Sequence, residues 1–321
     1  MRRTGLLISI TLAAGAIVAW MLYSEDLGRA RASVAGGSTI AATPCGPIEY
    51  AVRGGGTPLL LIHGAGGGFD QGLLFGRGLL KRDVQVVAPS RFGYLRTPVP
   101  ADASAQAQAD AHACLLDVLG IQRIAVLGAS AGAPSAMQFC IWHPQRCSTL
   151  VLLVPAAYAP AHAGQTMVIP PSLQFVVDHV LTNDFALWAM IKLNPRLLVR
   201  TMLGTPTEVF DAASDADRAA VMEALMAVEP VSQRAAGLNV DAKVTSTLPR
   251  YELEKIQVPT LLISVEDDLY GTWENARYTA EHIAGARFVS YPTGGHVWMG
   301  HDEQVWGEVA SFIRRPVMAA P

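Results

Sequence analysis

Ile124-Ala125-Val126-Leu127-Gly128-Ala129-Ser130-Ala131-Gly132 is the stretch whose reading decides the fold. Its apolar, β-branched first half reads as a buried strand, and its small-residue second half matches Gly-x-Ser-x-Gly where that strand must turn. Residues from about Ala131 to His143, ahead of Pro144, then read as a helix. Glycines two positions to either side of Ser130 remove side chains that would clash in a tight strand-to-helix turn, so the serine hydroxyl stands above the end of the strand. A helix that begins there directs its free N–H groups and its dipole at that hydroxyl. A small-residue turn with no chemistry spells the same motif, so its meaning depends on the rest of the chain.

Outward from this point, buried strands and helices alternate. Ile48 to Val52 is a short alternating strand, followed by the turn Gly54-Gly55-Gly56. Leu59-Leu60-Leu61-Ile62, bounded by Pro58 and Gly64, is wholly apolar, as expected of a strand covered on both faces of a parallel sheet. Val84–Ala88 and Thr149–Val154 repeat that signal, and Ala101–Leu119 has helical spacing and stops at Gly120. From Pro155 to about Arg250 the strand signal disappears. Ser172–Met190, Pro195–Leu203 and Asp215–Ala227 read as helices, with Ser172 and Ser214 or Asp215 as capping candidates. Strands return at Thr260–Val265 and Arg287–Tyr291, and a terminal helix runs from Glu303 to about Arg314. The expected class is α/β: a doubly wound, mostly parallel sheet with a helical insertion.

Two glycine-rich strand ends and one acidic strand end hold the remaining candidate site residues. His63-Gly64-Ala65-Gly66-Gly67-Gly68 follows the strand Leu59–Ile62, where bare backbone N–H groups are suited to holding a developing oxyanion. The expected donors are the N–H groups of Ala65 and Ala131. A phosphate loop would require Lys-Ser/Thr after its glycines and none follows; a dinucleotide fingerprint would require a third glycine where Phe69 stands. His63 reads as a brace of this loop. Glu266-Asp267-Asp268 closes the strand Thr260–Val265, and Gly294-Gly295-His296 lies just beyond the strand that ends at Tyr291.

Leu60-Leu61-Ile62-His63-Gly64, Gly128–Gly132, Val258-Pro259-Thr260-Leu261-Leu262-Ile263, Asp267-Asp268 and Gly294-Gly295-His296, in that order, resemble the α/β-hydrolase family, in its cap-bearing subgroup of carboxylesterases and carbon–carbon bond hydrolases. The likeness spans roughly residues 45 to 315. It implies a serine hydrolase acting on carboxylic esters or related carbonyl compounds, with Ser130 as nucleophile, His296 as base and Asp268, the second aspartate of the pair, as the acid. Asp267 and Glu266 are then expected to be exposed loop acids. The resemblance implies no cofactor and no metal. Acyl transfer, carbon–carbon bond hydrolysis and a non-catalytic binding role on the same fold are the alternatives. One departure stands out: relatives often carry an aspartate and a Gly-x-Gly-x-Ser turn after the strand Val84–Ala88, where this chain has Ser90-Arg91-Phe92-Gly93-Tyr94.

Composition agrees with one large core. Of 321 residues 51% are hydrophobic and 16% charged, far too apolar for disorder. The net charge of −3, with no basic cluster beyond the N-terminus, argues against a nucleic-acid partner. Cys45, Cys114, Cys140 and Cys147 show no zinc spacing and read as buried free thiols, although their even number also permits disulfides in three pairings. Arg2 and Arg3 precede an uncharged run from Thr4 to Ser24, long enough at about 1.5 Å per residue to span a hydrocarbon core of about 30 Å. The arginines should stay cytoplasmic and send the remainder outward. The length favours an uncleaved membrane anchor. A cleaved signal peptide, cut after Ala30-Arg31-Ala32, is the rival and would leave a secreted or periplasmic protein. The expected organisation is therefore an anchor or signal at 1–25, a linker at 26–44, a core at 45–155 and 251–315, and a helical cap at 156–250.

Overall fold

Leu59, Leu60, Leu61 and Ile62 are almost completely buried, yet they serve two different cores. Leu59 and Leu61 face one side of the sheet and Leu60 and Ile62 the other, because successive side chains of a strand point to opposite faces. A strand with a helical layer on each side has no solvent face and so no polar alternation. In the computed structural model, which describes residues 2 to 162 and 182 to 314 and side chains from residue 11 onward, this strand lies in the middle of an eight-stranded sheet.

The strands are β1 (Thr39–Thr43), β2 (Gly46–Arg53), β3 (Thr57–Ile62), β4 (Val84–Pro89), β5 (Ile124–Ala129), β6 (Cys147–Leu153), β7 (Thr260–Val265) and β8 (Arg287–Tyr291). They are ordered β1-β2-β4-β3-β5-β6-β7-β8. β1 and β2 join antiparallel at one edge, and the strands from β4 to β8 pair in parallel. The chain begins with α1 (Arg2–Gly36). α2 (Phe69–Leu80) covers one face of the sheet together with the terminal helix Asp302–Ile313, while Ala105–Val118, Ala133–Trp142 and Thr272–His282 cover the other. Each fully buried Leu or Ile in these layers contributes about 2 kcal/mol.

Between β6 and β7 the described chain is helical: Asp184–Leu193, Pro195–Thr201, Thr207–Ala212, Asp215–Met226 and Ala235–Ser246. These helices share their own apolar cluster, built on Leu187, Ile191, Val199, Phe210, Leu225 and Val231. Met190 and Met202 pack against it, so at least part of the segment's apolar content is structural. Ser214 caps its helix by accepting from the Asp217 N–H. The other expected cap, Ser172, lies outside the described residues.

Two expectations need correction, and another finds no support. Residues 26 to 44 are not a linker. α1 continues to Gly36, helped by the pairing of Arg29 with Glu25 and Asp26 one turn earlier, and β1 follows. The end of α1 is docked: Leu27 and Val34 are buried, Asp26 accepts from Trp188 Nε1 at 2.8 Å, and Lys192 Nζ lies 2.9 Å from the same carboxylate. Second, no helix among the described residues is long and apolar enough to cross a membrane, so the structure gives the N-terminal membrane-spanning or signal reading no support. Third, the four cysteines are not free thiols. Cys45 pairs with Cys114 and Cys140 with Cys147. The first bond ties the β1–β2 turn to the helix Ala105–Val118; the second closes the reversal at His143–Pro144, which brings the two Cα atoms to 5.2 Å.

Candidate active site

Ser130 follows β5 directly and has a φ of 48°, left-handed backbone that costs a non-glycine residue energy and is held only by its surroundings. The flanking glycines explain how. A Cβ on Gly132 would lie 2.5 Å from the Ile62 carbonyl oxygen, and one on Gly128 would lie 2.6 Å from Ala136 Cβ. Both positions are thus filled by the neighbouring strand end and helix, which clamp the turn from either side.

His296 stands on the loop after β8, in a turn with Gly294 at φ 137° and Gly295 at φ 62°. A Cβ on Gly295 would lie 2.4 Å from Thr205 Oγ1, so the loop presses directly on the helical segment. Its ring joins the other two candidates. His296 Nε2 lies 2.8 Å from Ser130 Oγ, and His296 Nδ1 lies 2.7 Å from Asp268 Oδ2. A carboxylate can only accept, so Nδ1 carries the proton and Nε2 is left to accept from the serine hydroxyl. Asp268 is buried at the end of β7, where it also accepts from the Tyr270 N–H at 2.9 Å and from Thr272 Oγ1. The ring of Tyr270 meets His296 edge-on at 4.8 Å.

Asp267 is not the exposed loop acid that was expected. It is half-buried and accepts the Gly295 N–H at 2.7 Å and the Gly294 N–H at 3.3 Å, so it fixes the loop that carries His296. Glu266 is exposed, as expected.

The glycine-rich loop after β3 touches the serine: a Cβ on Gly64 would sit 3.3 Å from Ser130 Cβ. His63 is buried beneath the loop, its Nδ1 donating to the Gly64 carbonyl at 2.7 Å and its Nε2 accepting the Arg91 N–H at 3.0 Å. Burial, with the Arg91 charge second, holds its pKa well below the ordinary histidine value, so it is a neutral brace. Among the described residues, the loop hydrogen bonds give the Ala65 N–H no acceptor, and no group of acids, histidines or cysteines could hold a metal ion.

Sequence reasoning missed Arg91 and Asp241. Arg91 is buried and donates from Nε to the His63 carbonyl at 2.9 Å and from Nη2 to the Gly64 carbonyl at 3.0 Å. Its fork is held by both oxygens of Asp241, at 2.5 and 2.7 Å, on the helix Ala235–Ser246. The departure at Ser90–Tyr94 was the signal. Ser90 Oγ donates to the wholly buried Glu49 carboxylate at 2.9 Å, a position where an aspartate would set two like charges together.

A family model of the alpha/beta hydrolase fold matches residues 57–299, which take in β3, the Ser130 turn, Asp268 and His296. The chain belongs to the alpha/beta hydrolase fold family. Among alpha/beta hydrolases and related proteins, it is 27% identical over 274 residues to the uncharacterized hydrolase YcgS of Bacillus subtilis (strain 168), covering 82% of this chain and 93% of that protein. It is 38% identical over 105 residues to a 2-hydroxymuconate semialdehyde hydrolase of Pseudomonas putida, covering 32% of this chain and 37% of that protein. The solved structure of an alpha/beta hydrolase fold protein from Nakamurella multipartita superposes with a TM-score of 0.74 at 26% identity, covering 86% of this chain and 99% of that one.

Proposed function

We propose that this alpha/beta hydrolase cleaves a small carboxylic ester, or a related carbonyl compound, through an acyl-enzyme on Ser130. The observation that carries the reading is the continuous chain from Ser130 Oγ through His296 to Asp268, at 2.8 and 2.7 Å, on a turn whose strained serine faces a glycine-rich loop. Ser130 Oγ attacks the carbonyl carbon as His296 Nε2 takes its proton, and Asp268 supports the imidazolium. The oxyanion is held by the N–H groups of Ala65 and Ala131. Collapse expels the alcohol, protonated by His296, and water then releases the acid by the same steps.

A second reading, carbon–carbon bond hydrolysis, is favoured by the stretch of similarity to the 2-hydroxymuconate semialdehyde hydrolase. A fluorophosphonate probe and a panel of p-nitrophenyl esters of rising chain length, beside a lactone and a diketone, test both. Labelling at Ser130 with ester turnover is the expected result. Turnover of the diketone alone selects the second reading, and an unlabelled, inert protein leaves only a binding role.

The catalytic domain is further proposed to work outside the cytoplasm, attached through the N-terminal segment or released from it. Support comes from Arg2 and Arg3 ahead of the uncharged run Thr4–Ser24, and from two disulfides, which persist in oxidising compartments. Alkaline phosphatase fused after residue 40 should be active in a bacterial host. An inactive fusion, with the native protein in the cytosol, would overturn the assignment.

A further inference from the structure

We propose that Arg91, gripped by Asp241 of the helical segment, is the positioning residue of the oxyanion site: it orients and polarises the Gly64–Ala65 peptide so that the Ala65 N–H faces the reacting carbonyl. The inference rests on the acyl-enzyme reading above. The Gly64–Ala65 peptide is trans, so its carbonyl and its N–H point in opposite directions. Whatever holds the Gly64 carbonyl therefore aims the Ala65 N–H.

Two donors hold that carbonyl, and both depend on Arg91. One is the Arg91 Nη2 itself. The other is His63 Nδ1, which carries the proton because the Arg91 backbone N–H occupies Nε2. Arg91 Nε fixes the preceding carbonyl, that of His63, and Gln71 Oε1 accepts the Gly64 N–H at 3.1 Å, so the loop is held on both sides of Gly64. A cation on a peptide oxygen also draws electron density from the amide, which makes the N–H at its far end a stronger donor.

The next N–H is removed from competition. Gly66 donates to the Tyr94 hydroxyl at 3.1 Å, and that hydroxyl donates in turn to Asp241 Oδ2 at 2.5 Å. One carboxylate of the helical segment thus fixes both Arg91 and Tyr94. The same helix docks closely: the Gly237 N–H donates to the Gly93 carbonyl at 2.9 Å, and a Cβ on Gly237 would lie 2.3 Å from Tyr94 Cδ2. The oxyanion site is complete only with Ala235–Ser246 seated, so the insertion acts on the chemical step as well as covering the site.

The test uses Arg91→Lys and Asp241→Asn in the full chain, with steady-state kinetics on an ester that the wild type turns over and the carbonyl stretching band of a cinnamoyl acyl-enzyme. Lysine keeps the charge, but its three donors radiate from one atom and cannot reproduce the four bonds that the guanidinium fork makes to two carbonyls and both carboxylate oxygens. Arg91→Lys should lower kcat by about 10²-fold with KM within about threefold, the size of effect seen when one oxyanion donor is lost. Its acyl carbonyl band should move towards the frequency of the free ester in water, a shift that a merely structural residue would not produce. Asp241→Asn should move both readouts in the same direction by less, and it decides the matter should Arg91→Lys fail to fold. A kcat within threefold of wild type, an unmoved carbonyl band, or a KM that rises as far as kcat falls would overturn the proposal. Failure of the wild type to acylate at Ser130 would instead overturn the underlying reading, and the two failures are distinct.

Discussion

Ser130→Ala should lower kcat by about 10⁶-fold, the scale seen when the nucleophile of a serine protease is removed, while the protein stays folded. The loss is large because no other group can form the acyl bond from that position: His296 Nε2 is aimed at Ser130 Oγ. The fold should survive because the hydroxyl is only half-buried and its described side-chain partner is that imidazole, while the Cβ that packs near Gly64 is retained. The left-handed backbone at 130 is equally awkward for serine and alanine, so the strain cancels in the comparison. Burst kinetics with a p-nitrophenyl ester, fluorophosphonate labelling and circular dichroism together check this. A folded Ser130→Ala protein that keeps more than about a hundredth of the wild-type rate would remove Ser130 from the mechanism.

Asp268→Asn is the second large effect, about 10⁴-fold in kcat by analogy with the serine proteases. An amide in place of the carboxylate can turn an N–H towards His296 Nδ1, and the imidazole then carries its proton on Nε2, facing Ser130 with a donor where an acceptor is needed. The neighbouring acid makes a sharp control. Asp267→Asn retains an oxygen to accept the Gly295 N–H and should cost less than about tenfold, whereas Glu266→Gln on the exposed side should change nothing measurable. Should Asp267→Asn prove the severe variant and Asp268→Asn the mild one, the roles assigned to the two acids are reversed.

The contrast between these two aspartates shows where sequence reading reached and where it stopped. Residue type, strand ends and the Ser, Asp, His order, together with the family resemblance that selects Asp268, named the three residues that the fold brings within hydrogen-bond distance. The role of Asp267 was invisible because it depends on backbone amides of Gly294 and Gly295 from another strand end. Arg91 and Asp241 were missed for the same reason: the departure at Ser90–Tyr94 marks the loop, but nothing local names a partner 150 positions away. α2 escaped as well. Gly72, Gly76 and Gly78 weaken its helical signal, yet they lie where a Cβ would come within about 3 Å of Ala88, Leu61 and Trp306, so the helix can press against the sheet and the terminal helix.

By itself the sequence determined the parallel sheet and the turn at Ser130, which follow from hydrophobic period and glycine placement acting over a few residues. The candidate acid and base came from the resemblance of its motifs to the α/β-hydrolase family. Tertiary structure alone decided the pairing of the four cysteines, the docking of residues 26 to 36 as helix, and the seating of Arg91 on the Gly64 carbonyl. Each of these depends on which distant surfaces meet, and a contact between remote segments is fixed by the packing of the whole core rather than by any local run of residues.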